Sequence, residues 1–187
     1  MDATYKSELE KITEGHIFYE FQDEEVYFNN LVTFIQSGIE NKQQVLIIEN
    51  MRNLPKVRTR IDQLFNEEQQ KSIRLVNNFE YYLSNGDFNT QTILKHFQQD
   101  LSFLMKVNSS IRTWAHVEWA SSEPDAELLK EFETNADYFV SEEKMLSVCA
   151  YSSSQLSSDL TTVLVKAHSY VMTDDSFLVS SIYGKKH

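Results

Sequence analysis

The chain has 187 residues, the length of one domain that buries a sizeable hydrophobic core. Its 28 acidic and 17 basic residues give a formal net charge of −11, and the scattered basic residues lack the clustered pattern of a nucleic-acid-binding protein. No stretch has the apolar length of a secretory leader or a membrane-spanning helix, so we expect a cytoplasmic protein that acts on neither nucleic acid nor membrane.

The first half of the chain alternates segments of helical and strand character. Asp23 is a favourable N-cap, and residues 45–48 form an apolar run without alternation, which is typical of a strand covered on both faces. The elements predicted there are a helix over residues 3–13, a strand over 16–21, a helix over 24–41, a strand over 45–48, a helix over 54–65, a polar connection over 67–71 and a strand over 72–76.

The second half continues the alternation. After an aromatic and turn-forming loop over residues 79–89, the predicted elements are a helix to 105, a strand over 110–120, a helix from Pro124 to about 140, a strand over 145–151, a helix over 154–168 and closing strands within 170–183. Strands that alternate with long helices predict an α/β fold of three layers, α/β/α, with a mainly parallel central sheet. We expect a single domain with its core at 14–183, an N-terminal helix at 1–13 and a tail at 184–187.

The turn over residues 49–53 follows the apolar strand, at the edge where α/β proteins bind ligands. A phosphate-binding turn needs glycines that let backbone N–H groups approach the phosphates, and a lysine. This turn has neither, and Glu49 would repel a triphosphate. We interpret it as a ligand crevice without a phosphate grip, with Asn50 in the turn and Asn77 at the end of the next strand.

The strand predicted over 110–120 has one face rich in polar groups. With a period of two, Arg112, Trp114, His116 and Glu118 share that face. Glu118 is placed to position a water or to pair with Arg112. An enzyme that uses His116 and Glu118 on an unidentified substrate is therefore one alternative function.

Metal and nucleophile chemistry have weaker support in the sequence. His16, His116, Glu118 and His168 are suitable ligand types, but no two of them have the spacing of a helix-borne pair. The single cysteine, Cys149, lies in an apolar run, so we expect a small buried side chain that forms no intramolecular disulfide. We assign no catalytic residue, no metal and no cofactor.

Aromatic residues are abundant enough to line a mostly apolar pocket for a small organic ligand. Trp114 and Tyr81 are the first candidates for its walls. Trp114 is on the polar face of a central strand, and Tyr81 is in a loop that follows a strand and that could fold over a crevice.

Several blocks of the sequence together resemble one family. The blocks, similar in order and spacing to those of the MEDS domains, the methanogen/methylotroph DcmR sensory domains, are residues 15–19, 32–40, 45–48, 81–88, 112–119, 132–133, 149–151 and 168–171. The resemblance implies a degenerate RecA/KaiC-like core without a P-loop that serves as a sensory module. In that family the domain often precedes a DNA-binding, kinase or anti-sigma output domain. This sequence ends at the domain itself, so we expect it to control a separate signalling or transcription-regulating protein, or to act through self-association.

The resemblance places His16 and Tyr19 among the family's most characteristic positions. The main hypothesis is a non-catalytic sensory or regulatory domain that binds a small molecule, a regulatory protein partner, or both. The second alternative is a pure interaction protein, a homodimer formed through an exposed sheet edge. The candidate ligand-binding residues are His16, Tyr19, Glu49, Asn50, Asn77, Tyr81, Trp114, His116 and Glu118.

Overall fold

The computed structural model of the chain describes residues 8–105, 110–120 and 123–184. Seven strands form one sheet in the order β3-β2-β4-β5-β1-β6-β7. Every neighbouring pair is parallel except the last, in which β7 runs antiparallel to β6. The strands are β1 (Gly15–Phe21), β2 (Gln44–Glu49), β3 (Ile73–Asn77), β4 (Ile111–His116), β5 (Leu146–Ser152), β6 (Tyr170–Met172) and β7 (Phe177–Val179).

Helices connect the strands, and polar side chains begin several of them. Asp23, Asp125 and Ser157 each accept a hydrogen bond from a backbone N–H in the first turn of the helix that follows, which satisfies a donor the helix leaves open. The helices are α1 (Glu24–Glu40), α2 (Leu54–Leu64), α3 (Glu67–Gln70), α4 (Phe79–Tyr82), α5 (Thr90–Met105), α6 (Ala126–Glu142) and α7 (Ser158–Ala167), with a 3₁₀ turn at Ser153–Gln155.

Each face of the sheet carries its own hydrophobic core, as β2 illustrates. Val45 and Ile47 pack under α1 and α2 on what we call the first face. Leu46 and Ile48 belong to the cluster on the second face, which α5, α6 and α7 cover. Since burying each such side chain contributes about 1.5–3 kcal/mol, both layers of helices are held firmly against the sheet.

The connections reverse direction between β2 and β4. The chain leaves β2 through α2 on the first face toward β3, and it leaves β4 through α6 on the second face toward β5. Neighbouring strands whose connections diverge open a crevice at their carboxyl ends, which is where ligands bind in such sheets. The connections from β5 and β1 also leave on opposite faces, through α7 on the second face and α1 on the first.

The predicted fold class is confirmed, with local differences. The polar connection over 67–71 contains the short helix α3, the expected loop after residue 79 begins with the short helix α4, and the strand expected to reach residue 120 ends at His116. Residues 8–11 of the predicted first helix are helical, while residues 1–7 and 185–187 lie outside the described residues. Among the helices of the described ranges, none combines the length and apolar character needed to cross a membrane.

Candidate functional site

The crevice between β2 and β4 brings together four of the predicted site residues. Glu49 ends β2 and His116 ends β4, while Asn50 and Glu118 follow them in the loops. The His116 Nδ1 and the Glu49 Oε1 are 2.7 Å apart, and the His116 Nε2 is 3.4 Å from the Glu118 Oε1. The histidine therefore lies between two carboxylates on the first face of the sheet.

Glu49 is fully buried, and its carboxylate is surrounded by donors. One oxygen accepts the hydroxyl hydrogen bond of Tyr27. The other accepts from the backbone N–H of Asn50 at 2.7 Å, from the side-chain amide of Asn53 at 3.3 Å and from His116. The protein itself thus satisfies this carboxylate, and Glu49 acts as a structural anchor of the crevice.

The pKa of His116 is shifted by the groups around its ring. Burial favours the neutral ring, but the carboxylates of Glu49 and Glu118 outweigh burial, so the pKa of His116 is raised above its ordinary value. Glu118 is the more accessible carboxylate, because its side chain is 22% exposed. It accepts hydrogen bonds from Asn50 at 3.0 Å and from Asn78 at 2.9 Å.

The predicted pairing of Glu118 with Arg112 does not occur. Arg112 is fully buried and donates to Gln43 at 2.7 Å and to the carbonyl oxygen of Phe34 at 3.0 Å. The strand ends at His116, so Glu118 leaves the alternation that would have placed it on the same face as Arg112. The expectation failed because the strand is shorter than the apolar pattern indicated.

A second turn, between β1 and α1, has the same strand–turn–helix form. The backbone N–H groups of Gln22 and Asp23 both donate to one oxygen of Asp174, at 2.9 and 2.8 Å. Tyr19 donates its hydroxyl to the other oxygen at 2.7 Å. A carboxylate of the chain thus takes the place that an anion occupies at a helix N-terminus, and Tyr19 helps to hold it there.

The second face contains a cavity of about 30 Å³ between the sheet, α4, α5 and α6. Its walls are mostly apolar, and among them Tyr81 and Tyr82 are buried rather than folded over an open crevice. The hydroxyl of Tyr81 donates to Asp100, which also pairs with Arg74 at 2.8 Å. The cavity is lined by Ile48, Tyr81, Tyr82, Ile93, Leu94, Phe97, Ala115, Phe132, Ala136, Val140, Ser147 and Cys149.

Trp114 does not line this cavity, so its assignment as a pocket wall was wrong. It is fully buried on the first face, where its indole N–H donates to the hydroxyl of Tyr27 at 2.9 Å. Asn77 is the register partner of Glu49 on β3, and its side chain lines a surface pocket beside α2. It is half-buried and accepts the backbone N–H of Phe79 at 3.0 Å, which fixes the start of α4.

His16 lies away from the crevice, on the second face, and His168 is its neighbour. The two rings have centroids 3.8 Å apart, with Glu133 and Cys149 beside them. The four histidine and glutamate ligands considered from the sequence therefore divide into two places, since His116 and Glu118 lie at the crevice. Burial raises the pKa of the Cys149 thiol, and the carboxylate of Glu133 raises it further.

Sequence reasoning missed several residues that shape these sites. Glu133 left a signal, because it is an acid on a helix between the core residues Phe132 and Ala136. Tyr27 and Asp174 left no signal in the sequence, because their hydrogen-bond partners are distant in the chain and only folding brings them together.

Comparison with known proteins adds a family and a fold. The family model of the MEDS domain, the methanogen/methylotroph DcmR sensory domain, matches residues 15–169. No curated protein matches the chain. Its fold is similar to that of several solved structures.

A KaiC-like protein from the hyperthermophilic archaeon Pyrococcus horikoshii is 13% identical with a TM-score of 0.55, over 86% of this chain and 71% of that one. The flagellar accessory protein FlaH from Methanocaldococcus jannaschii is 12% identical with a TM-score of 0.50, over 87% and 72%. An ATPase domain is 8% identical with a TM-score of 0.54, over 86% and 69%. At these identities the likeness concerns the RecA-like fold alone.

Proposed function

Because the chain belongs to the MEDS family of sensory domains, we propose that it is a non-catalytic sensor that binds a small molecule and controls a partner protein. In this proposal the RecA-like sheet serves as a scaffold for sensing and nucleotide hydrolysis has been lost. The input is a ligand inside the domain, and the output is a contact with another protein.

The observation that carries the proposal is the occupation of two strand–helix turns, β1–α1 and β2–α2, by the chain's own carboxylates. Asp174 accepts the backbone N–H groups of Gln22 and Asp23, and Glu49 accepts the N–H of Asn50. Phosphates bind such turns through these same N–H groups. A triphosphate would have to displace a carboxylate at either turn and would be repelled by it, which favours a function without nucleotide chemistry.

The cavity on the second face is the proposed ligand site. Its volume of about 30 Å³ exceeds the roughly 10–15 Å³ that one water needs, and its walls offer few polar groups. A small neutral molecule of a few non-hydrogen atoms suits such walls better than an ion. Because α4, α5 and α6 all contribute to the walls, a bound molecule would shift helices that reach the protein surface.

A binding experiment with a filled cavity tests this site. Ala136→Leu adds apolar atoms to the wall, whereas Asn135→Leu adds the same side chain at an exposed neighbouring position. Wild-type protein and Asn135→Leu are expected to show amide chemical-shift changes around Tyr82 with a panel of short-chain alcohols, ketones and thioethers. Ala136→Leu is expected to show none. Identical responses in all three proteins would contradict the proposed site.

Nucleotide turnover tests the non-catalytic part of the proposal and its enzymatic alternative together. The proposal expects no hydrolysis of ATP or GTP with Mg²⁺ by the wild-type protein. Turnover that disappears in Glu118→Gln while the variant keeps its fold would support an enzyme that uses His116 and Glu118, and the sensor proposal would then fail.

The edge strand β7 is the proposed contact for a partner. Leu178 and Val179 are 64% and 75% exposed, and β7 is the last strand of the sheet. An edge strand with apolar side chains is suited to pairing with another strand, from a regulatory protein or from a second copy of the chain. Light scattering of the wild type and Leu178→Lys distinguishes these partners, because a homodimer is expected to dissociate in the variant.

A further inference from the structure

Four side chains that can bind a metal converge on the second face of the sheet. His16 comes from β1, Cys149 from β5, Glu133 from α6, and His168 from the residue after α7. Their relative exposures are 1%, 5%, 0% and 0%, and one ligand atom from each lies within 4.8 Å of the others. Elements far apart in sequence thus place two imidazoles, a thiol and a carboxylate around one buried point.

The distances between the ligand atoms match a tetrahedral metal site. The His16 Nε2 is 3.5 Å from the Glu133 Oε2 and 3.4 Å from the Cys149 Sγ, and the His168 Nε2 is 3.3 Å from the same Glu133 oxygen. Zinc bonds of about 2.0–2.3 Å in tetrahedral geometry hold neighbouring ligand atoms roughly 3.3–3.7 Å apart. The widest pair, within 4.8 Å, needs only a small side-chain movement to close.

In three of the four side chains, the polar atom that points away from the common centre makes a hydrogen bond. The His16 Nδ1 donates to Asp137 at 3.2 Å, and the His168 Nδ1 donates to the carbonyl oxygen of Leu164 at 2.7 Å. The hydroxyl of Tyr151 donates to the Oε1 of Glu133. Each bond leaves the Nε2 or Oε2 atom pointing inward, which is the arrangement that orients metal ligands in proteins.

Two of the inward atoms, which lie 3.3 Å from each other, make no well-formed hydrogen bond. In the described ranges, neither the Oε2 of Glu133 nor the Nε2 of His168 makes a hydrogen bond, although both are buried. Unpartnered buried polar atoms are unfavourable, and a buried carboxylate more so. A divalent cation would satisfy both atoms, and with the carboxylate of Glu133 and a thiolate at Cys149 the site would have no net charge.

We propose that His16, Glu133, Cys149 and His168 bind a divalent cation of the zinc class in a four-coordinate site. Two imidazoles, a thiolate and a carboxylate are ligands that suit zinc and cobalt better than magnesium or calcium. The inference does not depend on the proposed function. The proposed metal would connect β1, β5 and α6. One of its ligands, Cys149, also lines the cavity of the proposed function.

Cobalt titration of the metal-stripped full chain tests the site. The wild type is expected to take up one Co²⁺ per chain, with a near-ultraviolet thiolate-to-cobalt charge-transfer band and intense visible bands of tetrahedral cobalt, and Zn²⁺ is expected to abolish both. Cys149→Ser is expected to lose the charge-transfer band. His168→Asn is expected to bind at least about tenfold more weakly.

His96→Asn is the matched control, because His96 lies on α5 outside this group and is expected to bind cobalt as the wild type does. Circular dichroism identifies variants that fail to fold, and the Cys149→Ser spectrum keeps the test decisive if His168→Asn is one of them. A proton shared between His168 and Glu133 is the competing account. Absence of cobalt bands in the wild type, or bands that survive Cys149→Ser unchanged, would overturn the proposal whatever the small-molecule titrations show.

Discussion

In the part of the chain that the structure describes, a carboxylate is buried against histidine once on each face of the sheet, and the two regions differ in the groups that surround the carboxylate. On the first face, donors from Tyr27, Asn50, Asn53 and His116 surround Glu49. On the second face, one oxygen of Glu133 accepts from Tyr151, and the other faces two imidazoles without a hydrogen bond within the described part of the chain.

This difference gives a physical criterion for telling a structural carboxylate from one that can bind a ligand, namely whether the protein itself supplies hydrogen bonds to both oxygens. A buried carboxylate whose acceptor positions are filled by the protein has nothing left to offer a ligand. One whose oxygen makes no hydrogen bond and lies beside other ligand atoms is suited to the cation that we propose. The two carboxylates have the same burial and the same kind of neighbour. They differ in how many of their oxygens accept hydrogen bonds.

We call the surroundings of Glu49 the filled region and those of Glu133 the open region. The largest expected effect comes from removing Glu49 from the filled region. Glu49→Ala would leave the His116 ring, the Tyr27 hydroxyl and the amide of Asn53 buried without their acceptor. Breaking such a buried pair costs about 3–5 kcal/mol, and urea denaturation measures it as a lower midpoint. Glu80→Ala, at an exposed position, is the control. A loss below about 1 kcal/mol would show that Glu49 is not an anchor.

The next effect is expected from zinc on the open region. A ligand at a hundredfold excess over its dissociation constant stabilises the folded state by about 2.7 kcal/mol, so zinc should raise the urea midpoint of the wild type. Glu133→Gln keeps the shape of the side chain but removes its charge, and zinc is expected to leave its midpoint unchanged. Equal stabilisation of both proteins would mean that zinc binds elsewhere.

A smaller effect is expected from the support behind His16. Asp137→Asn weakens the hydrogen bond that holds the His16 ring, and such outer partners typically contribute a factor of 10 or more to metal affinity. The expected loss, at least about 1.4 kcal/mol, is measured by competition with a zinc-binding dye. Asp62→Asn, on an exposed position of α2, should bind as the wild type does. If both variants bind alike, Asp137 does not position His16.

The smallest effect is a pH dependence in the filled region. The groups facing His116 are Glu49, Glu118, Arg52 and Tyr27, and the net result raises the pKa of His116 above 6.5. The folded state therefore holds the proton more tightly than the unfolded state does. Its contribution to stability is fully present below about pH 6.5 and is lost as pH rises through the raised pKa.

Urea denaturation across that window measures this contribution. The free energy of unfolding of the wild type should fall with rising pH, with a slope from this group no steeper than about 1.4 kcal/mol per pH unit. His116→Asn should flatten the slope over the same window. Burial lowers the pKa of His16, which adds a slope of opposite sign to both proteins, so the test is the difference between them. A slope in His116→Asn that falls more steeply than in the wild type would mean that burial, rather than the two carboxylates, dominates the pKa of His116.

The sequence predicts the fold well because its signals are local. The apolar run at 45–48, the cap at Asp23 and the helical spacing after it each depend on neighbours within a few residues, and the structure places β2 and α1 there. The site residues are predicted only in part. Glu49, Asn50, His116 and Glu118 were separate candidates in the sequence, and the structure brings them together because the carboxyl ends of parallel strands share one edge.

The sequence does not show that the four residues of the second-face group meet, for a physical reason. His16 and His168 were recognised as ligand types, but their partners Glu133 and Cys149 are set by the strand order and by the rotation of α6 on the sheet. Neither the strand order nor the rotation of α6 produces a periodic pattern in the sequence. Trp114 failed for the related reason that its strand face is covered by α1, which alternation alone does not reveal.

The contrast between a filled and an open carboxylate is tested most directly by anomalous diffraction at the zinc edge, from crystals of the full chain grown with zinc. The account predicts one anomalous peak among His16, Glu133, Cys149 and His168, and none beside Glu49 and His116. A peak between Glu49, His116 and Glu118, or no peak beside Glu133, would contradict it.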